Sequence, residues 1–227
     1  MIRRSAMPSV QIASSAGLLV GIHDLPEGPP AAGTIRAAVV CHPHPLQGGT
    51  MDNKVVFSLA RVLRERGLHV VRFNFRGFGG SEGSHDQGRG ERDDVRAALD
   101  LAESYVEGDA DRSVQGSLLV AGFSFGSYVG LSAGLGDERV GAFLAVAPPV
   151  HHYDYPETGD FGVPLGVIYA AEDELVPPRR IEDWASRCPG VDVQRHCIEG
   201  ATHLFHGCLG PLRHAAGEFM DHLNEAS

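Results

Sequence analysis

No stretch of this sequence approaches 18 consecutive apolar residues, so nothing in it reads as a membrane-spanning helix. Cysteine is scarce. Cys41, Cys188, Cys197 and Cys208 are scattered, without a Cys-x-x-Cys pair, and read as reduced thiols; a structural disulfide with three possible connectivities is the alternative. Basic charge is in deficit, with 19 Lys and Arg against 29 Asp and Glu and a formal net charge of −10. That balance disfavours nonspecific binding to nucleic acid or anionic membranes but names no substrate. A His-Glu-x-x-His pattern is missing, and His42 and His44 alternate on an extended segment rather than facing one metal; His151 and His152 complete the histidines that invite a metal reading. The glycine-rich stretch 77–83 lacks the Lys-Ser/Thr ending of a phosphate-binding loop. The first eight residues carry charge without the apolar run of a signal peptide, which gives the expectation of a cytoplasmic protein.

What is present is an ordinary globular composition. Apolar residues make up 43% of 227, and at this length about 70% of the unfolded chain's surface leaves water on folding. Strands are expected at 18–25, 37–41, 69–73, 117–122, 140–147, 163–169 and 191–196. Helices are expected at 53–66, 90–104, 126–135 and 179–187, and Leu212, Ala215, Ala216, Phe219 and Leu223 mark one face of a closing helix. Strands apolar on both faces, separated by helices, imply an α/β fold whose mostly parallel sheet is covered on both sides. No repeat or low-complexity linker divides the chain, so residues 1–227 read as a single domain.

Reactive side chains follow three of the expected strands. Gly122-Phe123-Ser124-Phe125-Gly126 falls between a strand and a helix. A serine on that tight turn projects above the C-terminal edge of the sheet, and the flanking glycines leave room for close backbone approach. The helix that follows aims free N–H groups toward developing negative charge. A serine hydroxyl needs a base, and the base needs an orienting partner. His203 follows the last expected strand and is the candidate base, with His206 as its rival or as a pocket residue. Asp173, in Ala171-Glu172-Asp173-Glu174-Leu175-Val176, is the candidate orienting acid, with Glu172 and Glu174 as rivals. The order Ser, Asp, His is the one that accompanies a serine on such a turn. One oxyanion donor is expected from the backbone N–H of Phe125. The second is expected from the loop 41–50, where Pro43 and Pro45 cannot donate; Leu46 is preferred, ahead of His44 and Gln47.

The segments Cys41-His42-Pro43-His44-Pro45-Leu46-Gln47-Gly48-Gly49-Thr50 and Arg72-Phe73-Asn74-Phe75-Arg76-Gly77-Phe78-Gly79-Gly80-Ser81, with the serine turn and the loops of Asp173 and His203, carry a resemblance. Over roughly residues 37–207 the chain resembles a small-hydrolase branch of the α/β-hydrolase superfamily, near dienelactone hydrolases and minimal esterases. The resemblance implies a mostly parallel central sheet, an acyl-serine intermediate and no cofactor. It casts Ser124 as nucleophile, Asp173 as acid and His203 as base. Two departures stand out: dienelactone hydrolases usually carry cysteine where this chain has Ser124, and His-Pro-His-Pro-Leu replaces the His-Gly loop common in lipases. The expected function is hydrolysis of a small ester-like acyl substrate, with thioesterase or lactonase activity and a non-catalytic binding protein as alternatives. Residues 74–83 are expected to serve as a tight turn, with substrate contact by Arg76 as the lesser reading.

Many α/β hydrolases insert a cap between the strands expected here at 140–147 and 163–169. The short segment between them has room for a loop but hardly for a separate helical cap. An open pocket is expected, with His44, Tyr153, Tyr155 and His206 as candidate pocket residues.

Overall fold

The computed structural model describes residues 9–28, 34–106, 115–155, 162–188 and 192–225; the reading of residues 1–8 as lacking a signal peptide concerns a segment outside them. Eight strands form one sheet: β1 (Ser9–Ser14), β2 (Gly17–Asp24), β3 (Ala37–Cys41), β4 (His69–Phe73), β5 (Leu118–Phe123), β6 (Val140–Val146), β7 (Leu165–Ala170) and β8 (Val193–Ile198). Five α-helices cover it: α1 (Lys54–Glu65), α2 (Glu91–Ser104), α3 (Phe125–Gly134), α4 (Pro178–Ala185) and α5 (Leu209–Glu225). The strand order is β1-β2-β4-β3-β5-β6-β7-β8. From β4 to β8 every neighbouring pair is parallel, while β1 with β2 and β2 with β4 are antiparallel.

The double-sided burial that the sequence implies is seen residue by residue. Along β3, Ala37, Val39 and Cys41 enter one core, and Ala38 and Val40 enter the other. Helices α2, α3 and α4 close the first core, through Val95, Leu99, Val129, Leu131, Ile181 and Trp184 among others. Helices α1 and α5 close the second, through Val56, Leu59, Leu63, Leu212, Ala216 and Phe219. Helix α1 starts one residue later than its periodicity suggests because Asn53 is its cap: the Asn53 side chain accepts the Val55 N–H at 2.9 Å.

One strand was not anticipated. β1 buries only Ile12, and its remaining residues are exposed or half-buried, so it offers no apolar run to read. It is an edge strand held by its hairpin with β2, whose register ends at Ser14 opposite Gly17. A buried ion pair ties β2 to β4. Arg72 Nε donates to Asp24 Oδ2 at 2.6 Å, and Arg72 Nη1 donates to the Met51 carbonyl at 2.8 Å.

The topology fixes where a site can form. From β3 the chain crosses to β4 on one side, then returns to β5 on the other, which opens a crevice at the carboxyl ends of the central strands. Among the described residues there is no cap domain between β6 and β7. All four cysteines are free, and no helix among the described residues is long and apolar enough to cross a membrane.

Candidate active site

Ser124 joins β5 to α3 with φ 52° and ψ −122°, a backbone conformation that L-residues rarely adopt. Such a residue costs on the order of 1–3 kcal/mol and persists where its surroundings enforce it. Here the Ser124 N–H donates to the Val146 carbonyl at 2.8 Å, and the Ser124 carbonyl accepts from the Ser127 N–H at 2.9 Å and from Ser127 Oγ at 2.6 Å. Both flanking glycines are required by contact. A Cβ on Gly126 would lie 2.4 Å from the Cys41 carbonyl oxygen and 2.5 Å from that of His42, and a Cβ on Gly122 would lie 2.4 Å from the Gly126 carbonyl carbon. The turn is therefore pressed against the end of β3.

The loops after β7 and β8 bring the other two expected residues to this turn. His203 Nε2 lies 3.1 Å from Ser124 Oγ, and His203 Nδ1 lies 2.8 Å from Asp173 Oδ2. A carboxylate only accepts, so Nδ1 carries the imidazole proton and Nε2 faces the serine hydroxyl as acceptor. Asp173 and His203 are buried, at 8% and 4% exposure, whereas Ser124 is partly open. Asp173 is fixed in turn by the N–H groups of Leu175 and Val176, which donate to its Oδ1 at 2.9 and 2.7 Å. Its rivals do other things: Glu172 is exposed, and Glu174 Oε2 accepts the His203 backbone N–H at 3.1 Å. His206 is exposed and is not part of this set.

The Phe125 N–H heads α3, where no intrahelical acceptor exists for it. The loop after β3 departs from expectation at one point. It forms a single 3-10 turn over Pro45–Gln47, and the Leu46 N–H donates to Nδ1 of His44 at 3.2 Å. The N–H groups of Gln47 and Gly49 both go to the His44 carbonyl at 3.0 Å, and that of Gly48 goes to the Pro45 carbonyl at 3.1 Å. The N–H groups of this turn are thus consumed within it, Leu46 included, and the His44 N–H is the one left over. The His44 ring packs on the Phe125 ring at 4.8 Å, so this loop abuts the serine turn.

His42 fastens the same loop from below. Its Nε2 accepts the Phe75 N–H at 3.0 Å, and its Nδ1 lies 2.7 Å from the Pro43 carbonyl, which assigns the proton to Nδ1. Burial pushes the His42 pKa down to about 4, and burial followed by the neighbouring His85 lowers that of His44. Both imidazoles are committed as neutral hydrogen-bonding groups. No cluster of three or more His, Cys, Asp or Glu among the described residues is arranged to hold a metal ion.

The glycine-rich segment after β4 is structural. Arg76 is taken up by buried Asp94, with Nη2 to Oδ1 at 2.7 Å and the backbone N–H to Oδ2 at 3.0 Å. Asn74 accepts the Met51 N–H at 2.9 Å and donates to the Gly79 carbonyl at 3.1 Å. The two tyrosines expected at the pocket divide. Tyr153 is half-buried and stacks on Tyr128, with ring centroids 4.5 Å apart. Tyr155 is buried instead, and its hydroxyl lies 2.8 Å from Ser127 Oγ, so it braces the turn rather than walling a pocket. The contacts of Ser127, His42 and Glu174 are made by folding: the sequence offers His42 only as one of the histidines that invite a metal reading and Glu174 only as a rival to Asp173, and for Ser127 its position one helical turn beyond Ser124 is the sole hint of a role.

No protein-family model matches the chain. By sequence it is 31% identical over 226 residues to an uncharacterised protein of Rickettsia prowazekii (strain Madrid E), across 96% of this chain and 88% of that protein. Solved structures are similar over nearly the whole length. An α/β serine hydrolase homologue from Coxiella burnetii is 34% identical with a TM-score of 0.83, covering 93% of this chain and 96% of that one. A member of the α/β serine hydrolases without a lid, from Xanthomonas campestris, is also 34% identical with a TM-score of 0.82, covering 100% of this chain and 99% of that one. A putative α/β hydrolase from Agrobacterium tumefaciens is 28% identical with a TM-score of 0.83, covering 94% and 95%.

Proposed function

This chain belongs to the α/β serine hydrolases, and we propose that it hydrolyses a small carboxylic ester through an acyl enzyme formed on Ser124. The observation that carries the reading is the continuous hydrogen-bonded line Ser124 Oγ, His203, Asp173, with separations of 3.1 and 2.8 Å. His203 Nε2 takes the hydroxyl proton as Ser124 Oγ attacks the ester carbonyl carbon. The oxyanion is held by the backbone N–H of Phe125 and, in place of Leu46, by that of His44. Leu46 is the poorer donor because its N–H is already directed at an imidazole nitrogen. Protonated His203 then gives its proton to the departing alcohol. In the second half-reaction water loses a proton to His203 and attacks the acyl carbon; His203 returns that proton to Ser124 Oγ as the acid leaves. Asp173 holds the imidazole in the productive tautomer and stabilises its charged form. Each step draws only on these side chains, two backbone donors, ester and water.

The test pairs two measurements on wild type and Ser124→Ala. Wild type should gain the mass of one fluorophosphonate adduct and turn over a short acyl ester of 4-nitrophenol. Ser124→Ala should gain no adduct and lose at least about three orders of magnitude in kcat. Undiminished turnover by a folded Ser124→Ala variant would dismiss the assignment.

A further inference from the structure

The geometry points to Arg92 and Tyr128 as a subsite for a carboxylate carried on the acyl part of the substrate, at the end remote from the scissile ester. The inference rests on the ester-hydrolase reading above and adds the substrate class.

Arg92 is the exception among the arginines around it. Arg76 pairs with Asp94, Arg89 with Asp86 and Arg96 with Asp93, at 2.7, 3.2 and 2.8 Å. Arg92, in the first turn of α2, has no carboxylate partner among the described residues, in a chain where acids outnumber bases 29 to 19. The neighbouring Glu91 is fully committed: its oxygens accept the N–H groups of Asp86 and Gly88 at 2.8 Å each, and His85 Nδ1 lies 2.7 Å away. Among the described residues Arg92 Nε is buried without an acceptor, and Nη2 makes the single hydrogen bond of the group, donating to the Tyr128 hydroxyl at 2.7 Å. The guanidinium carbon also stands 5.5 Å from the Tyr128 ring centroid. A half-buried cation with unused donors is costly unless something completes it, and a planar fork of N–H groups matches a carboxylate. The Tyr128 oxygen accepts from Arg92, so its own proton is available to the same ligand.

The position relative to Ser124 sets which part of the substrate this is. Tyr128 lies one helical turn beyond Ser124 on α3. Its ring stacks on Tyr153, which packs on Phe125 at 5.8 Å, so an aromatic wall runs from the serine turn to Arg92. His203 must reach the leaving oxygen, so the alcohol lies on the side of His203, where Leu175 and Leu204 are exposed. The acyl chain extends the other way, along Phe125, Tyr153 and Tyr128. Four residues of α3 rise about 6 Å, which puts the second acid several bonds from the carbonyl under attack.

The experiment compares 4-nitrophenyl hydrogen adipate with 4-nitrophenyl hexanoate, which share a six-carbon acyl chain and differ in the terminal carboxylate. Wild type should favour the adipate monoester in kcat/KM by about ten-fold or more, the scale of one charge-assisted pair. In Arg92→Gln the ratio of the two kcat/KM values should drop by at least that factor, and Arg92→Lys should give an intermediate ratio. Adipate itself, titrated by calorimetry, should bind wild type and bind Arg92→Gln at least ten-fold more weakly. A wild-type ratio of one or below, or a ratio that Arg92→Gln leaves unmoved, overturns the subsite. The two readings separate cleanly: Ser124 labelling with no Arg92-dependent selectivity removes the subsite alone, and Arg92-dependent adipate binding without Ser124 labelling removes the serine chemistry alone. Should Arg92→Gln fail to fold, the wild-type ratio and Arg92→Lys decide.

Discussion

Ser127 donates its hydroxyl to the main-chain carbonyl of Ser124 at 2.6 Å, locking the strained turn from one helical turn downstream. That bond uses the only proton on Ser127 Oγ, so Tyr155, 2.8 Å away, is the donor in the next link. Burial raises the Tyr155 phenol well above its ordinary pKa, so it remains protonated and able to donate. A buried residue on the segment after β6 thereby holds the conformation of the proposed nucleophile.

Tyr155→Phe keeps the ring packing, including the edge contact with Trp184 at 5.2 Å, and deletes only the donor. The expected loss is about 1 kcal/mol of support for the turn, read as a decrease of about five-fold in kcat with KM little changed. A purely structural role would lower the unfolding midpoint and leave kcat of the folded fraction at the wild-type value.

The Asp24–Arg72 pair is 1% exposed on both sides and sits between β2 and the loop that follows β3. Asp24→Ala removes both carboxylate oxygens that the buried guanidinium bonds, leaving around it the Met51 carbonyl at 2.8 Å and the exposed Asp52 carboxylate at 3.6 Å. We expect a stability loss of about 3–5 kcal/mol from urea unfolding. Asp24→Leu combined with Arg72→Met should recover most of it, since no buried charge then remains.

His42 should make the protein acid-sensitive well before its carboxylates titrate. Its folded pKa is lowered to about 4 from the ordinary 6.5, so below 6.5 the unfolded chain takes up the proton first and stability falls with pH. The loss begins near pH 6.5, reaches about 2 kcal/mol by pH 5 and levels off at about 3 kcal/mol below pH 4. His23, also lowered to about 4 by burial and then by the neighbouring His69, acts in the same direction. Unfolding midpoints of wild type and His42→Gln at pH 7 and pH 5 check this: the variant should be less stable at pH 7 yet lose less on acidification.

The sequence by itself determined the elements of the inner sheet and the residues that meet at its edge. Apolar runs in strands buried on both faces are dictated by local composition, and β3 and β4 have the limits that their sequence predicts. Gly-x-Ser-x-Gly between a strand and a helix carries its turn with it, because only glycine fits against the end of β3. What followed the tertiary structure was the assignment of partners. β1 has one buried residue and becomes a strand through pairing with β2, not through its own pattern. The sequence ranks Leu46 ahead of His44 as the second donor, yet the Leu46 N–H is directed at the His44 ring once the turn is built, since where an N–H points depends on the backbone torsions of the folded loop. Tyr155 and Tyr153 stand two residues apart in the same aromatic run, yet one is buried beneath the serine turn and the other stacks beside it. Arg92 differs from its neighbours in finding no carboxylate among the described residues when the chain has folded. Side-chain partnership depends on distances across the fold, which the local order of residues does not contain.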